Sequence, residues 1–218
     1  VTVDSQLCTV LNLPESAAEA EFEDKRSRFI GNCCHITSAS ELTGLLESLH
    51  DRHPKARHIA YAAVWGESVA NLSERMSDDG EPSGTAGKPI LDCIRQQGLI
   101  DCLVTVTRYF GGVLLGSGGL IRAYSTAASK ALQASDIARL VPCVVYRFAL
   151  AYAQLDICKR VVADNEGIFE VVEYSDHVEA KAIVPASAVA VFESSMVQIF
   201  NATVDLHRVD SRNVPIRI

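Results

Sequence analysis

Five glycines fall within residues 111–119 (GGVLLGSGG), between an apolar run at 103–110 and an apolar stripe at helical spacing that begins at Leu120. That order constrains the chain more than any other feature, because so glycine-dense a segment sustains neither helix nor strand and must turn the chain sharply. The run before it has the residues of a strand. After it, Leu120, Tyr124, Ala127, Ala128, Ala131 and Leu132 share one face of a helix expected over 120–134. A strand, a glycine turn and a helix start in succession present free backbone N–H groups and the positive end of a helix dipole to an anion. Arg108 and Arg122 bracket the turn, the latter expected in the first helical turn, and guanidinium groups suit planar oxyanions. Gly112, Gly116, Gly118 and Gly119 are therefore candidate phosphate contacts. Neither G-x-G-x-x-G nor the Lys-Ser/Thr ending of a P-loop is present, and the same glycines equally suit tight turns and close helix packing.

A second segment, 73–87 (SERMSDDGEPSGTAG), carries three glycines, one proline and almost no apolar side chains. It predicts a long loop without regular structure, of the kind that binds ligands or partners. Asp78, Asp79 and Glu81 place three carboxylates within four residues, which suits a hard divalent cation such as magnesium, although the spacing is not that of an EF-hand. Acidic loop residues equally cap helices, accept turn hydrogen bonds or orient arginines. No other cofactor is indicated. Arg75, Ser83, Thr85 and Lys88 complete the candidate anion- or partner-binding set. The surroundings of Ser83 are not a G-x-S-x-G elbow, and no histidine is assigned to it by spacing. His58 opens a strand expected over 58–65 and is placed to bond to the acidic loop, whereas His50 and His53 match no standard zinc spacing. No catalytic constellation is complete.

The rest of the pattern defines an α+β chain of two domains, 1–138 and 139–218. In the first, a strand is expected over 29–36. Ser38 and Glu41 form a capping-box signature before the stripe Leu42, Leu45, Leu46 and Leu49, giving a helix over 41–50. A short helix over 89–97 admits Pro89 in its first turn. Beyond about 140 the order is strand 144–151, helix 155–164, strand 168–174, strand 178–184, helix 186–200 and strand 202–207, with an irregular tail after Asp210. This βαββαβ run matches the ferredoxin-like unit.

Hydrophobic residues make up 48% of the chain and charged residues 22%, a globular balance. No apolar run approaches the roughly 20 residues that span a bilayer. No Lys or Arg precedes the apolar residues of the first thirteen positions, so a secretory start is not expected and the chain reads as cytoplasmic. Its seven cysteines, an odd number without a C-x-x-C pair, read as reduced core thiols. A net charge of −7 excludes a broadly basic nucleic-acid module.

Longer blocks carry more information. RHIAYAAVWG from Arg57, RMSDDGEPSGTAGKPIL from Arg75 and VTRYFGGVLLGSGGLIRAYSTA from Val106, with KRSRFIG from Lys25 and HPKARH from His53, resemble the signature blocks of the IMPACT family and its bacterial YigZ branch. Leu114 stands where the family block carries Lys, so one positive charge is absent from the glycine turn. The resemblance implies a first domain like the second domain of small-subunit ribosomal protein five. It implies a C-terminal ferredoxin-like domain similar to domain five of elongation factor G. Eukaryotic members are translational regulators. The resemblance therefore implies a non-enzymatic, translation-linked regulator that binds RNA, the ribosome or a translation factor through the two glycine-rich loops. The alternative is an enzyme or sensor that binds a small phosphorylated or carboxylated metabolite between them.

Overall fold

The computed structural model describes residues 7–66 and 71–217. The chain divides into two compact units, the first running to Arg139 and the second covering Leu140–Ile216. Both mix helices and sheets, so the protein is α+β. Among the described residues no helix is long and apolar enough to cross a membrane.

In the first unit, β1 (Cys8–Val10) precedes a hairpin of β2 (Ala18–Asp24) and β3 (Ser27–His35). Then follow α1 (Ala39–Arg52), β4 (His58–Trp65), β5 (Ser73–Ser77), α2 (Gly87–Gln96), β6 (Cys102–Tyr109) and α3 (Ser117–Gln133). An antiparallel sheet in the order β2-β3-β6-β4-β5 forms the framework. Successive strand residues face opposite ways. Phe29 and Gly31 of β3 meet α3, and a Cβ on Gly31 would lie 2.5 Å from the Ala127 carbonyl oxygen. Asn32 and Cys34 face the other side, where Leu42, Leu45 and Leu46 of α1 pack with Ala63 and Leu103. The α3 face holds packed aromatic rings. Phe29 is wholly buried there, with its ring 5.4 Å from that of Tyr124 in an edge-on arrangement. Burying one such side chain stabilises by roughly 1.5–3 kcal/mol.

The second unit is built from residues 140–150 of β7 (Ile137–Leu150), α4 (Leu155–Asp164), β8 (Ile168–Tyr174), β9 (Val178–Pro185), α5 (Val189–Phe200) and β10 (His207–Arg217). β9 lies between β7 and β8, and β10 pairs with β7, the strand order of the ferredoxin-like unit. Period-two alternation puts Tyr146, Phe148 and Leu150 of β7 and Ala180, Ala182 and Val184 of β9 on one face. Phe192, Met196 and Phe200, each four apart on α5, close over that face.

Several sequence expectations are corrected. Residues 73–77, expected to be irregular, form edge strand β5, so the loop proper is 78–86. The strand expected at 202–207 begins at His207 and occupies the tail expected to be irregular. Asn201 and Ala202 have φ of 49° and 56°, a left-handed helix end that no strand can continue. Both new strands lie at sheet edges with mostly exposed side chains, so they carry polar residues instead of an apolar alternation. The Ser38 signature is not a reciprocal capping box: Glu41 accepts from the Thr37 N–H at 3.1 Å and from the Ser38 hydroxyl at 2.9 Å. Helix α3 starts at Ser117, three residues early, which moves Arg122 out of its first turn and into its second.

Candidate functional site

The loop 78–86 is held by its own acidic residues, each in a different way. Asp78 accepts three backbone N–H bonds, from Gly84 at 2.8 Å, Ala86 at 2.9 Å and Gly87 at 2.8 Å. It thus folds the loop back and caps α2 from outside the helix. Partial burial pushes its carboxyl up, but the three N–H bonds together outweigh that and hold it below the usual aspartate range. Asp79 accepts from the Ile59 N–H at 2.6 Å, fastening the loop to β4. Its carbonyl oxygen lies 2.5 Å from His58 Nδ1, which must donate, since a carbonyl only accepts.

Glu81 turns inward and is only 8% exposed. One of its oxygens receives Arg108 Nη1 at 2.5 Å and the Tyr124 hydroxyl at 2.8 Å, with His58 Nε2 3.9 Å away. Burial and the adjacent Glu81 charge push the Tyr124 phenol well up, so it stays protonated and donates. The guanidinium of Arg108 also lies 5.5 Å from the ring centroids of Phe29 and Phe110. A salt bridge, an aromatic hydroxyl and a histidine therefore join the acidic loop, the end of β6 and the second turn of α3. The three carboxylates engage separate partners, and among the described residues no group of three or more His, Cys, Asp or Glu is placed to hold a metal ion.

The glycine turn is organised differently. Gly111 donates to the Ser27 hydroxyl at 3.1 Å, and a Cβ there would sit 2.0 Å from the Arg26 carbonyl carbon, an approach that only glycine allows. Gly116 is the N-cap of α3 at φ 74°, a glycine conformation, and among the described residues no side chain caps the helix. Leu120 is the first residue whose N–H reaches a helical carbonyl, that of Gly116 at 2.9 Å. The N–H groups of Ser117, Gly118 and Gly119 are thus left for an outside acceptor. Gly112, Gly116 and Gly118 are exposed, whereas Gly119 is buried against Leu115. Around this helix start stand exposed Val113, Leu114 at 81%, Ile121 and Arg122.

The candidate residues therefore separate into distinct settings. Arg108, Glu81, His58 and Asp79 converge on the buried network. Thr85 is buried and donates to the Pro82 carbonyl at 2.6 Å, so it shapes the loop. Ser83 is exposed on the loop tip. Lys88 is exposed and paired with Asp92 at 2.9 Å, and Arg75 lies on β5 with its guanidinium 5.9 Å from the Trp65 ring centroid. Arg122 is exposed and has no ion pair or hydrogen bond among the described residues. Arg108, expected to face an anion with Arg122, is 5% exposed and committed to Glu81. Tyr124 was missed as a site residue because its helical spacing made it one more core aromatic; its hydroxyl needs a buried partner, and that was the available signal.

Comparison with known proteins agrees with these blocks. The Impact N-terminal domain family matches residues 25–132. Among curated proteins, the IMPACT family member YigZ of Escherichia coli is 32% identical over 194 residues, covering 89% of this chain and 95% of the relative. The IMPACT family member YvyE of Bacillus subtilis is 30% identical over 192 residues, covering 88% of each chain. A crystal structure titled as that of a hypothetical protein is 30% identical, with a TM-score of 0.59, covering 94% of this chain and 98% of its own.

Proposed function

The chain belongs to the IMPACT family, and from that premise we propose that it is a non-enzymatic regulator linked to translation, docking on RNA, the ribosome or a translation factor through the start of α3. One observation carries this reading. The helix N-terminus is exposed, uncapped and framed by glycines, and Arg122, one turn further along the helix, is exposed and has no ion pair or hydrogen bond among the described residues. Backbone N–H groups, a helix dipole and an unpaired guanidinium form a phosphate-sized acceptor site. The buried Glu81–Arg108–Tyr124 network has the complementary role of fixing α3 against the acidic loop, so the site is rigid before any partner arrives. Leu114 and Val113 add apolar contact beside the phosphate site, so the interface combines charge with burial.

Co-sedimentation with ribosomes over a salt series tests the proposal, comparing the native protein with Arg122→Glu. Binding that weakens with salt, with the slope of log K against log salt reduced by about one in the variant, is the expected result. Binding unaffected by Arg122→Glu overturns the assignment of the site. Absence of binding by the native protein favours the metabolite-sensor reading, to be followed with phosphorylated and carboxylated ligands.

A further inference from the structure

The sheet of the first unit ends on one side in β5, which pairs with β4 alone. Among the described residues no other backbone hydrogen bond reaches residues 73–77, so the outward N–H and C=O groups of the strand are open to a partner. β5 is short and carries Glu74 and Arg75, but no proline, lysine or bulge interrupts it, and its register with β4 runs unbroken from Ser73 to Ser77. Beside it α2 leaves a groove of about 260 Å³, lined by Glu74, Arg75 and Met76 of β5 and by Lys88, Leu91 and Arg95 of α2. That is several times the roughly 30 Å³ share of one water, so the groove admits side chains. Lys88, Leu91 and Arg95 follow one another at spacings of three and four, which makes them one stripe along the helix.

Strand alternation gives this edge two sides. Glu74 and Met76 turn toward α2, where Glu74 accepts from Arg95 Nε at 2.9 Å, and Met76 is 51% exposed. Arg75 projects on the other side, its guanidinium 5.9 Å from the Trp65 ring centroid and without an ion pair among the described residues. Lys88 pairs with Asp92 at 2.9 Å, and Arg95 also lies 3.8 Å from Asp92. Such exposed pairs contribute only about 0–1 kcal/mol, so they yield readily to an incoming carboxylate. Three cations stand against the two carboxylates Glu74 and Asp92, a local surplus of positive charge on a chain whose net charge is −7. A second copy of the chain fits this edge poorly. Two β5 strands paired antiparallel about their middle residue would set Arg75 against Arg75, and like charges directly opposite each other destabilise a ladder.

We propose that β5 is a docking edge for an acidic, extended segment of a partner protein, which adds a strand to the sheet. Backbone hydrogen bonds to residues 73–77 supply affinity, and alternate side chains supply specificity. On one side of the added strand carboxylates meet Lys88 and Arg95 while an apolar residue rests on Met76 and Leu91; on the other side a carboxylate meets Arg75. Arg75 and Lys88 therefore serve a peptide carboxylate at this edge. No residue of the groove belongs to the start of α3, so the proposal is independent of the translation reading.

The probe is an end-blocked heptapeptide with glutamate at alternate positions, threonine between them and one valine at the centre. Its controls are the same peptide with lysine for glutamate and the same peptide with proline for the central valine. Backbone amides of the full chain are followed in a heteronuclear NMR titration, with Trp65 fluorescence as a second readout, since Trp65 lies opposite Ser73 and beside Arg75. Saturable shifts confined to β5 and its neighbours β4 and α2 are expected, with amide exchange within residues 73–77 slowed about tenfold or more at saturation. The lysine peptide should bind at least about tenfold more weakly, and so should the proline peptide, which lacks an N–H for the ladder. Arg75→Glu, at an exposed position, should weaken the glutamate peptide about tenfold and strengthen the lysine peptide. No saturable shift, equal binding of the glutamate and lysine peptides, indifference to the central proline, or full affinity in Arg75→Glu each overturns the proposal. Slow exchange of residues 73–77 without peptide, rising with protein concentration, would make a second copy of the chain the occupant and overturn it as well.

Discussion

Replacing Asp78 by alanine removes a carboxylate that serves three backbone N–H groups at once, those of Gly84, Ala86 and Gly87. Ala86 and Gly87 are buried, so two of those groups lose their acceptor with no water to replace it, while Gly84 is partly exposed and can be hydrated. Hydrogen bonds to a charged acceptor contribute about 1.5–3 kcal/mol each, and two uncompensated losses put Asp78→Ala at about 3–6 kcal/mol. For a unit of this size that lowers the melting temperature by roughly 10–20 °C. Asp78→Asn keeps an oxygen for Ala86 and Gly87 but turns an amide NH₂ toward the Gly84 N–H, so it should cost about 1–2 kcal/mol. The chain has a single tryptophan, Trp65, on β4 opposite Ser73 of β5. Its fluorescence reports the first unit alone, which matters because a two-unit protein need not melt in one step. The Asp78 carboxyl is depressed on folding, so its contribution is fully present above the unfolded value near 4 and is lost as pH falls through the lower folded value. The difference between the native protein and Asp78→Asn should therefore be constant from neutral pH to about 5 and shrink only below about 4. If both variants melt within about 1 °C of the native protein, Asp78 does not hold the loop and the capping argument fails.

Glu81→Gln leaves the Arg108 guanidinium buried without a counter-charge and should cost about 3 kcal/mol, whereas Tyr124→Phe removes one hydrogen bond and should cost about 1 kcal/mol. Urea titration by Trp65 fluorescence checks the order, and equal costs would mean the ion pair is not the anchor. Gly111→Ala drives a Cβ into the Arg26 backbone and should destabilise by about 3 kcal/mol or more, while Gly118→Ala meets no atom within 4 Å and should stabilise α3 by about 0.5–1 kcal/mol. Melting curves of the pair separate a packing glycine from one kept for access. Burial pushes the Cys33 thiol up to about 11 and the Cys34 thiol up to about 12. Iodoacetamide at about pH 7.5 should leave both unmodified in the folded protein and alkylate both in urea, read by peptide mass spectrometry.

Helices and central strands were legible because burial on a fixed face writes a period into the residues. Leu42, Leu45 and Leu49 mark α1, the run at 58–65 has the bounds of β4, and Leu155–Asp164, Ile168–Tyr174 and Val178–Pro185 carry their periods almost to the residue. Strands β5 and β10 were hidden because an edge strand owes its structure to one neighbour's backbone and keeps polar side chains outward. Family blocks identified the first domain for a related reason: the local turns of 78–86 and 111–119 demand particular residues wherever they occur.

What sequence alone determined is thus what depends on near neighbours: the helices and central strands, the βαββαβ order, the glycine turn before α3 and the family itself. Tertiary structure alone decided which polar groups meet. Arg108 and Glu81 are 27 positions apart, and nothing local tells the arginine to point into the protein instead of toward an anion. Met76 and Leu91 come to line one groove only because β5 pairs with β4 and α2 lies alongside. Periodicity records how much of a side chain is buried; the identity of its partner is a property of three-dimensional packing, and chemistry depends on the partner.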